Sequence, residues 1–331
     1  MSNNDAQILG VIRKLTQHFL RGSLQFTISA NEVDILTPNV QEEFLQSTIH
    51  LDRLKKYPLN NDFCQKFFKK LISLLEPEQE IHDEIYSFLC SAMEKASINN
   101  EFCYHHYVID NNIDSLITIK ETKNMVVNGT TGMKTWEAAF MLSDWALCHQ
   151  SIIADKKILE LGSGVGFTGV TIAKHCDIQS IILSDCHQEV LSTIRDNIRI
   201  NFPEYKEEET SSITVFSGKQ KSLGVTILDW NCVEELSDEI IPDILIGADI
   251  VYDPTIIPAL CNVINTFFKK NNNLEVYIAS VVRNEETFTK FLEALDKLEL
   301  QYFEIIILKP VYVEWDCNIQ RRLLKNTNKN T

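Results

Sequence analysis

The chain has no apolar run of about eighteen residues, so no transmembrane helix is expected. A basic stretch followed by an apolar one is missing from its start, Met1-Ser2-Asn3-Asn4-Asp5, and no signal peptide is expected there. Residue 2 is Ser rather than Gly, which excludes N-myristoylation. No C-x-x-C pair occurs among the nine scattered cysteines. An odd count with no signal peptide points to free thiols in a reducing compartment, and hence to a cytoplasmic location. Positive charge is scarce: 31 Lys and Arg stand against 46 Asp and Glu, a net charge of −15. Such a chain repels nucleic-acid phosphates unless its cations are concentrated. Lys69-Lys70, Lys219 to Lys221 and Arg321-Arg322 are short clusters that read as solvated faces. Neither direct nucleic-acid binding nor membrane binding is expected. An acidic protein suits a basic partner, or a lysine side chain presented to it. Repeats and low-complexity linkers are also missing.

What remains is 331 residues, 44% hydrophobic, enough for one large domain or a domain with an appendage. Residues 1–100 read as helical. Ile8, Ile12, Leu15 and Phe19 lie at helical spacing, ended by Gly22. Phe63, Phe67, Leu71 and Leu74 repeat the pattern, stopped by Pro77. Ile81, Ile85, Phe88, Ala92 and Met93 form a third stripe. Phe102–Ile109 and Leu116–Lys120 read as a hairpin around Asp110-Asn111-Asn112. Cys103-Tyr104-His105-His106 invites a metal reading, but adjacent His residues on a strand face opposite ways, and no metal is expected.

Beyond the hairpin, strands and helices alternate. Strands are expected at 157–161, 180–184, 224–228, 244–248, 275–281 and 302–308, with a seventh near 316–324. Helices fit at 134–148, 167–175, 188–201, 255–269 and 285–298. This alternation predicts an α/β fold, a doubly wound, mostly parallel seven-stranded sheet with helices on both faces.

The chemistry centres on Lys157-Ile158-Leu159-Glu160-Leu161-Gly162-Ser163-Gly164-Val165-Gly166-Phe167-Thr168-Gly169. A strand, a glycine turn and a helix N-terminus form a nucleotide-binding corner. Gly164, Gly166 and Gly169 fit the dinucleotide pattern G-x-G-x-x-G. Glu160, Gly162, Gly164 and Gly166 instead fit the E-x-G-x-G-x-G turn of S-adenosylmethionine enzymes. A carboxylate at the strand end repels a pyrophosphate and suits a cationic ammonium and sulfonium, which favours the second cofactor. The alternative is a tight turn without a ligand.

Asp185 ends the next strand, about twenty residues on, where a carboxylate binds ribose hydroxyls. It is also placed to cap the following helix. Asp229-Trp230 follows the third strand, a carboxylate for the adenine amino group and an indole for its face. Gly247-Ala248-Asp249-Ile250-Val251-Tyr252-Asp253-Pro254 ends the fourth, placing Asp249 beside the glycine turn and Tyr252 near an incoming amine. It is not N-P-P-Y, the turn of enzymes that methylate amide or nucleobase nitrogens. Gly129-Thr130-Thr131-Gly132 and Trp136 form a turn able to close over the methionine end, although packing alone also explains Trp136.

Taken together, Gly129 to Gly132, Trp136-Glu137-Ala138-Ala139, Leu159 to Gly166, Ser184-Asp185-Cys186-His187, Leu228-Asp229-Trp230, Ala248-Asp249 with Tyr252, and Val282-Arg283-Asn284 resemble one group. It is the seven-β-strand, class I, Rossmann-like protein-lysine methyltransferases that trimethylate eukaryotic elongation factor 2. The resemblance runs over about residues 55–300 and is most specific over 129–285. Residues 206–224 look like a variable insertion. It implies S-adenosyl-L-methionine as cofactor, with S-adenosyl-L-homocysteine as product. By resemblance the cofactor contacts fall on Trp136, Gly162, Ser163, Gly164, Asp185, Trp230 and Ala248, beside Glu160, Gly166 and Asp229 from the motif reading. The catalytic candidates are Asp249, to bind and orient the lysine amine, and Tyr252. Residues 1–100 are expected to recognise elongation factor 2, and 101–331 to form the methyltransferase domain of a monomer. The rivals are the same fold acting on another protein or a small molecule, a non-catalytic S-adenosylmethionine-binding module, and a dinucleotide oxidoreductase.

Overall fold

A computed structural model describes residues 3–95, 101–127, 129–233, 237–307 and 309–327. The chain divides into two compact units, Met1–Lys123 and Asn124–Thr331.

In the N-terminal unit six helices precede a hairpin: α1 (Asn3–Leu20), α2 (Ala30–Ile35), α3 (Pro38–Gln46), α4 (Asp52–Lys56), α5 (Asn61–Leu75), α6 (Asp83–Lys95), β1 (Phe102–Ile109) and β2 (Asn112–Thr122). Local chemistry sets the helix ends. Ser29 and Glu32 form a capping box on α2, Pro38 occupies the first turn of α3, and the Asn60 side chain accepts the Asp62 and Phe63 amides. Gly22, at φ +71°, follows α1. Apolar stripes converge on Phe19, Phe26, Phe44, Phe67 and Phe68, all buried, with ring centroids 4.6 Å apart for Phe26–Phe67 and 5.0 Å for Phe19–Phe67. On α5 the buried stripe is Cys64, Phe67, Phe68, Leu71, Ile72 and Leu75, so Phe63 and Leu74 lie at its margin. Met93 is exposed, not part of the α6 stripe.

Asp110 and Asn111 both have left-handed φ, 54° and 53°, which makes the tight hairpin turn and matches strand twist. Strand β2 therefore starts at Asn112 and runs past the expected Lys120. Contacts of α1 with β1 bind the hairpin to the helices. The boundary expected at residue 100 is thus corrected to Lys123, because the hairpin packs with the N-terminal unit.

The second unit contains α7 (Glu137–Cys148), α8 (Gln150–Ile153), β3 (Lys157–Leu161), α9 (Phe167–His175), β4 (Ser180–Asp185), α10 (Gln188–Asn201), β5 (Lys206–Glu209), β6 (Ile213–Ser217), β7 (Ser222–Ile227), β8 (Ile244–Ala248), α11 (Ile257–Lys270), β9 (Glu275–Val281), α12 (Glu285–Lys297), β10 (Gln301–Ile305) and β11 (Arg321–Thr327). The sheet order is β10-β11-β9-β8-β3-β4-β7-β6-β5. The five central strands are parallel, and β11 and β10 close one side antiparallel. The seven expected strands are all present, but the sheet has nine. Residues of the variable insertion add β5 and β6 as an antiparallel extension at the β7 edge. The final strand begins at Arg321 rather than near 316, and Leu308, the expected end of another, lies outside the described residues.

The connection order reverses between β3 and β8, where Leu161 pairs with Gly247. Ligands in such sheets bind beyond the strand C-termini at this switch point. Helix α7 is buried on all sides and carries a buried charge, Asp144. Its carboxylate accepts the amides of Val311, Tyr312 and Val313 and the indole N–H of Trp315. These donors replace water and fix the segment before β11.

Candidate active site

The glycine turn leaves β3 with Gly162, Gly164 and Gly166 at φ +57°, +53° and +84°. At Gly164 a Cβ would lie 3.1 Å from the Gly132 carbonyl oxygen. The missing side chain therefore makes room for the 129–132 turn as well as for a ligand. That turn is held by a Val127–Thr130 bridge and by the Thr130 hydroxyl accepting the Gly132 amide at 3.0 Å. The Trp136 indole donates to the Thr131 carbonyl at 2.9 Å, which fixes the ring over the same corner.

A cavity of about 720 Å³ lies beside this turn. It brings together Trp136, Gly162, Gly164, Asp185, Asp229, Trp230, Ala248, Asp249 and Tyr252, nine of the twelve residues expected from sequence. Glu160, Ser163 and Gly166 do not line it. Gly166 is the N-cap of α9 and packs under Leu183 and Ile194. The Ser163 hydroxyl accepts the Ser184 amide at 3.0 Å and joins β3 to β4.

Glu160 departs most from its expected part. Its side chain is buried, and Oε2 accepts the Gly169 amide at 3.2 Å in the first turn of α9. Burial pushes its carboxyl up to about 8, against the opposing effect of that hydrogen bond. The residue read as a partner for the cofactor's cationic end instead braces the glycine turn from behind.

Asp185 and Asp229 stand at the ends of adjacent strands β4 and β7. The Cys186 thiol reports their field. Burial, then the Asp185 and Asp229 charges, pushes it up to about 11. Ribose hydroxyls and an adenine amino group are donors that suit these carboxylates, and Trp230 and Ile250 supply apolar wall.

Asp249, at φ +55°, is buried at the end of β8. Oδ1 accepts the Val281 amide at 2.8 Å and Oδ2 the Ala138 amide at 3.0 Å. Arg283 Nη2 lies 3.5 Å from Oδ2. The expected amine-orienting carboxylate is thus a joint between β8, β9 and the start of α7, with most of its acceptor capacity in use. Tyr252 is 52% exposed at the rim, as is Met125 at 59%.

Arg283 stands in the Val282-Arg283-Asn284 segment that carries the resemblance, but sequence reasoning gave it no role at the site. It follows β9 and is the only lysine or arginine among the described residues lining the cavity. Its guanidinium carbon lies 5.0 Å from the Trp136 ring centroid. The available signal was its place just beyond the fifth strand, where the switch-point rule puts ligand contacts.

The strand order, the glycine turn at the switch point and the carboxylate-lined cavity define a class I S-adenosylmethionine-dependent methyltransferase. The residues fit that cofactor: Asp185 and Asp229 face donors, the apolar wall suits adenine, and Arg283 suits a carboxylate. The lysine methyltransferase family matches residues 112–298, more than half of the chain, and the chain belongs to it. It is 28% identical over 297 residues to the human protein-lysine N-methyltransferase EEF2KMT, covering 88% of this chain and 87% of that one. The mouse protein of the same name is 31% identical over 267 residues, covering 77% and 76%. Among solved structures, Trm1 of Pyrococcus horikoshii with S-adenosyl-L-methionine superposes with a TM-score of 0.44 at 11% identity, covering 64% of this chain and 59% of that one. The protein is an S-adenosylmethionine-dependent protein-lysine methyltransferase.

Proposed function

We propose that the substrate is elongation factor 2 and that the product is trimethyl-lysine. The observation that carries this reading is the reach of the similarity. The human relative, named for that factor, aligns over 88% of the chain, whereas the catalytic unit is less than two thirds of it. The N-terminal unit is therefore shared with that relative, and substrate choice is the task left for it. A cytoplasmic monomer fits a soluble translation factor as substrate.

The bound cofactor supplies an electrophilic methyl group on a sulfonium. The chain's own residues supply position. Asp185 would take the ribose hydroxyls, Asp229 and Trp230 the adenine, and Arg283 with Trp136 the methionine carboxylate end. Little acid catalysis is needed for methyl transfer from a sulfonium, so alignment dominates. The lysine must arrive neutral, against an ordinary pKa of about 10.4. Desolvation beside Trp136, Ile250 and Ile256 would favour the neutral amine, against the opposing pull of the Asp249 carboxylate on the cation. Tyr252 at the rim suits a methylated ammonium, whose charge is attracted to a ring face. Asp249 acts through others, holding the start of α7 and Arg283 in place.

The test is incubation of the purified protein with labelled S-adenosylmethionine and either elongation factor 2 or a lysate lacking this enzyme. Label on one lysine of elongation factor 2, progressing to the trimethyl form, is expected. Label only on other proteins, RNA or small molecules overturns the substrate assignment.

A further inference from the structure

The N-terminal unit contains a cavity of about 520 Å³ that methyl transfer does not use. Phe19, Leu54, Leu59 and Cys64, all buried, contribute its apolar side. Its polar side carries Lys55, Lys95 and Lys123, all exposed. Asp62 is the only carboxylate among its described lining residues. In a chain of net charge −15, three lysines around one apolar hollow are a local reversal of sign.

The neighbourhood strengthens that reversal. The Tyr57 and Tyr104 rings meet at a tilt with centroids 5.3 Å apart, and Arg53 and Lys56 lie 5.4 and 5.3 Å from the Tyr57 ring. Lys120 lies 4.4 Å from the Phe102 ring. The Lys55–Asp52 pair, 2.9 Å long, is largely exposed on both sides and exchanges readily for another carboxylate.

We propose that this cavity docks an acidic segment of the protein substrate, with one apolar side chain on the floor and carboxylates against the lysine rim. This rests on the reading that the substrate is a folded protein. A desolvated pocket for one anchor, ringed by charge, is how a small interface gains both affinity and orientation. A nucleic acid fits less well. Stacking platforms need open ring faces along a continuous cationic track. Here Tyr57 and Phe102 are already approached by the chain's own cations.

The experiment uses the full chain, a Lys55→Glu, Lys95→Glu, Lys123→Glu triple variant, and the matching Lys→Arg triple. The probe is a fluorescent ten-residue peptide with a central Phe flanked by Glu. All three lysines are exposed, so melting temperatures should coincide. Charge reversal should weaken peptide binding by about tenfold or more and raise the KM for elongation factor 2 comparably. The kcat and S-adenosylhomocysteine affinity should stay unchanged, and the Arg triple should behave as wild type. Equal peptide binding by wild type and the Glu triple, or no binding, overturns the proposal, as does peptide binding with an unchanged KM. Preferential binding of oligouridine at the same lysines overturns it in favour of RNA. The peptide arm does not depend on methyl transfer, so failure to methylate elongation factor 2 removes the substrate assignment and leaves this arm to decide the docking site.

Discussion

Arg283 Nη2 lies 3.5 Å from Asp249 Oδ2, and the same guanidinium sits over Trp136. This wall of the pocket is therefore built from a cation and a carboxylate whose orientations depend on each other. Removing Arg283 should weaken cofactor binding without unfolding the chain, because its side chain is 44% exposed. Arg283→Ala is expected to raise the Kd of S-adenosylhomocysteine by about tenfold, the effect of losing one charge-assisted hydrogen bond. Arg283→Lys should recover only part of this, since a point charge cannot stack on Trp136 and reach Asp249 together. Calorimetry decides it, and unchanged affinity for Arg283→Ala would place the carboxylate end elsewhere.

Asp249→Asn should damage structure and turnover together. Two backbone amides, those of Ala138 and Val281, point at two different oxygens. An Asn side chain offers one acceptor, so one buried N–H is left facing an NH₂ group. The expected destabilisation is about 1–3 kcal/mol, read as a lower melting temperature. Turnover should fall steeply and should not return at high pH, because supplying neutral lysine does not restore the joint. A variant of normal stability whose activity recovers with rising pH would return Asp249 to the part of a base.

Glu160→Gln should be mild, because the carboxyl, held up at about 8, is largely protonated at neutral pH and Gln resembles the neutral acid. Its pH dependence has a definite sign. Below the ordinary value of 4.5 the group is protonated in both folded and unfolded chains. As pH rises from 4.5 to about 8 the unfolded chain gives up its proton first, and folded stability falls. Glu160→Gln should flatten that decline. Melting curves across this window that are parallel for both proteins would refute it.

Gly164→Ala tests the closure of the 129–132 turn. A side chain there pays for left-handed φ by about 1–2 kcal/mol and presses on the Gly132 carbonyl. Both melting temperature and S-adenosylhomocysteine affinity should drop, and Gly164→Arg should abolish binding. Retained affinity in the Arg variant would move the cofactor away from this turn.

The N-terminal unit should be acid-sensitive. Burial lowers His106 to about 3, where its ring bridges the Thr118 hydroxyl and the Tyr57 carbonyl. Burial, aided by Arg21, Lys14 and Lys70, lowers His18 to about 4. Between these values and the ordinary 6.5 only the unfolded chain takes up protons, so stability falls as pH drops through that range. Protection factors of the β1 and β2 amides, corrected for the slower intrinsic exchange in acid, should fall from pH 6.5 to 4, and constant protection factors would contradict it.

Much of this was legible in the chain. Alternating apolar runs and helical stripes located the seven core strands, and Asp185, Asp229 and Asp249 were placed by the rule that ligands gather at strand ends. The hairpin was visible, but its membership of the N-terminal unit was not, because α1 and β1 are some eighty residues apart in sequence. Strands β5 and β6 were missed as well. Glu207, Glu208 and Glu209 carry no apolar alternation, since β5 is an exposed edge.

Sequence alone determined the order of elements, the glycine turn and the acidic strand ends, because each depends on neighbouring residues and on the periodicity of burial. Which way a side chain turns at a strand end is not a local property. Glu160 and Asp249 are both carboxylates at the ends of paired strands. One points back to the Gly169 amide and takes a raised pKa, while the other joins α7, β9 and Arg283 at the pocket wall. Only tertiary structure decides this, because the donors that orient each carboxylate come from residues 9 to 111 positions away.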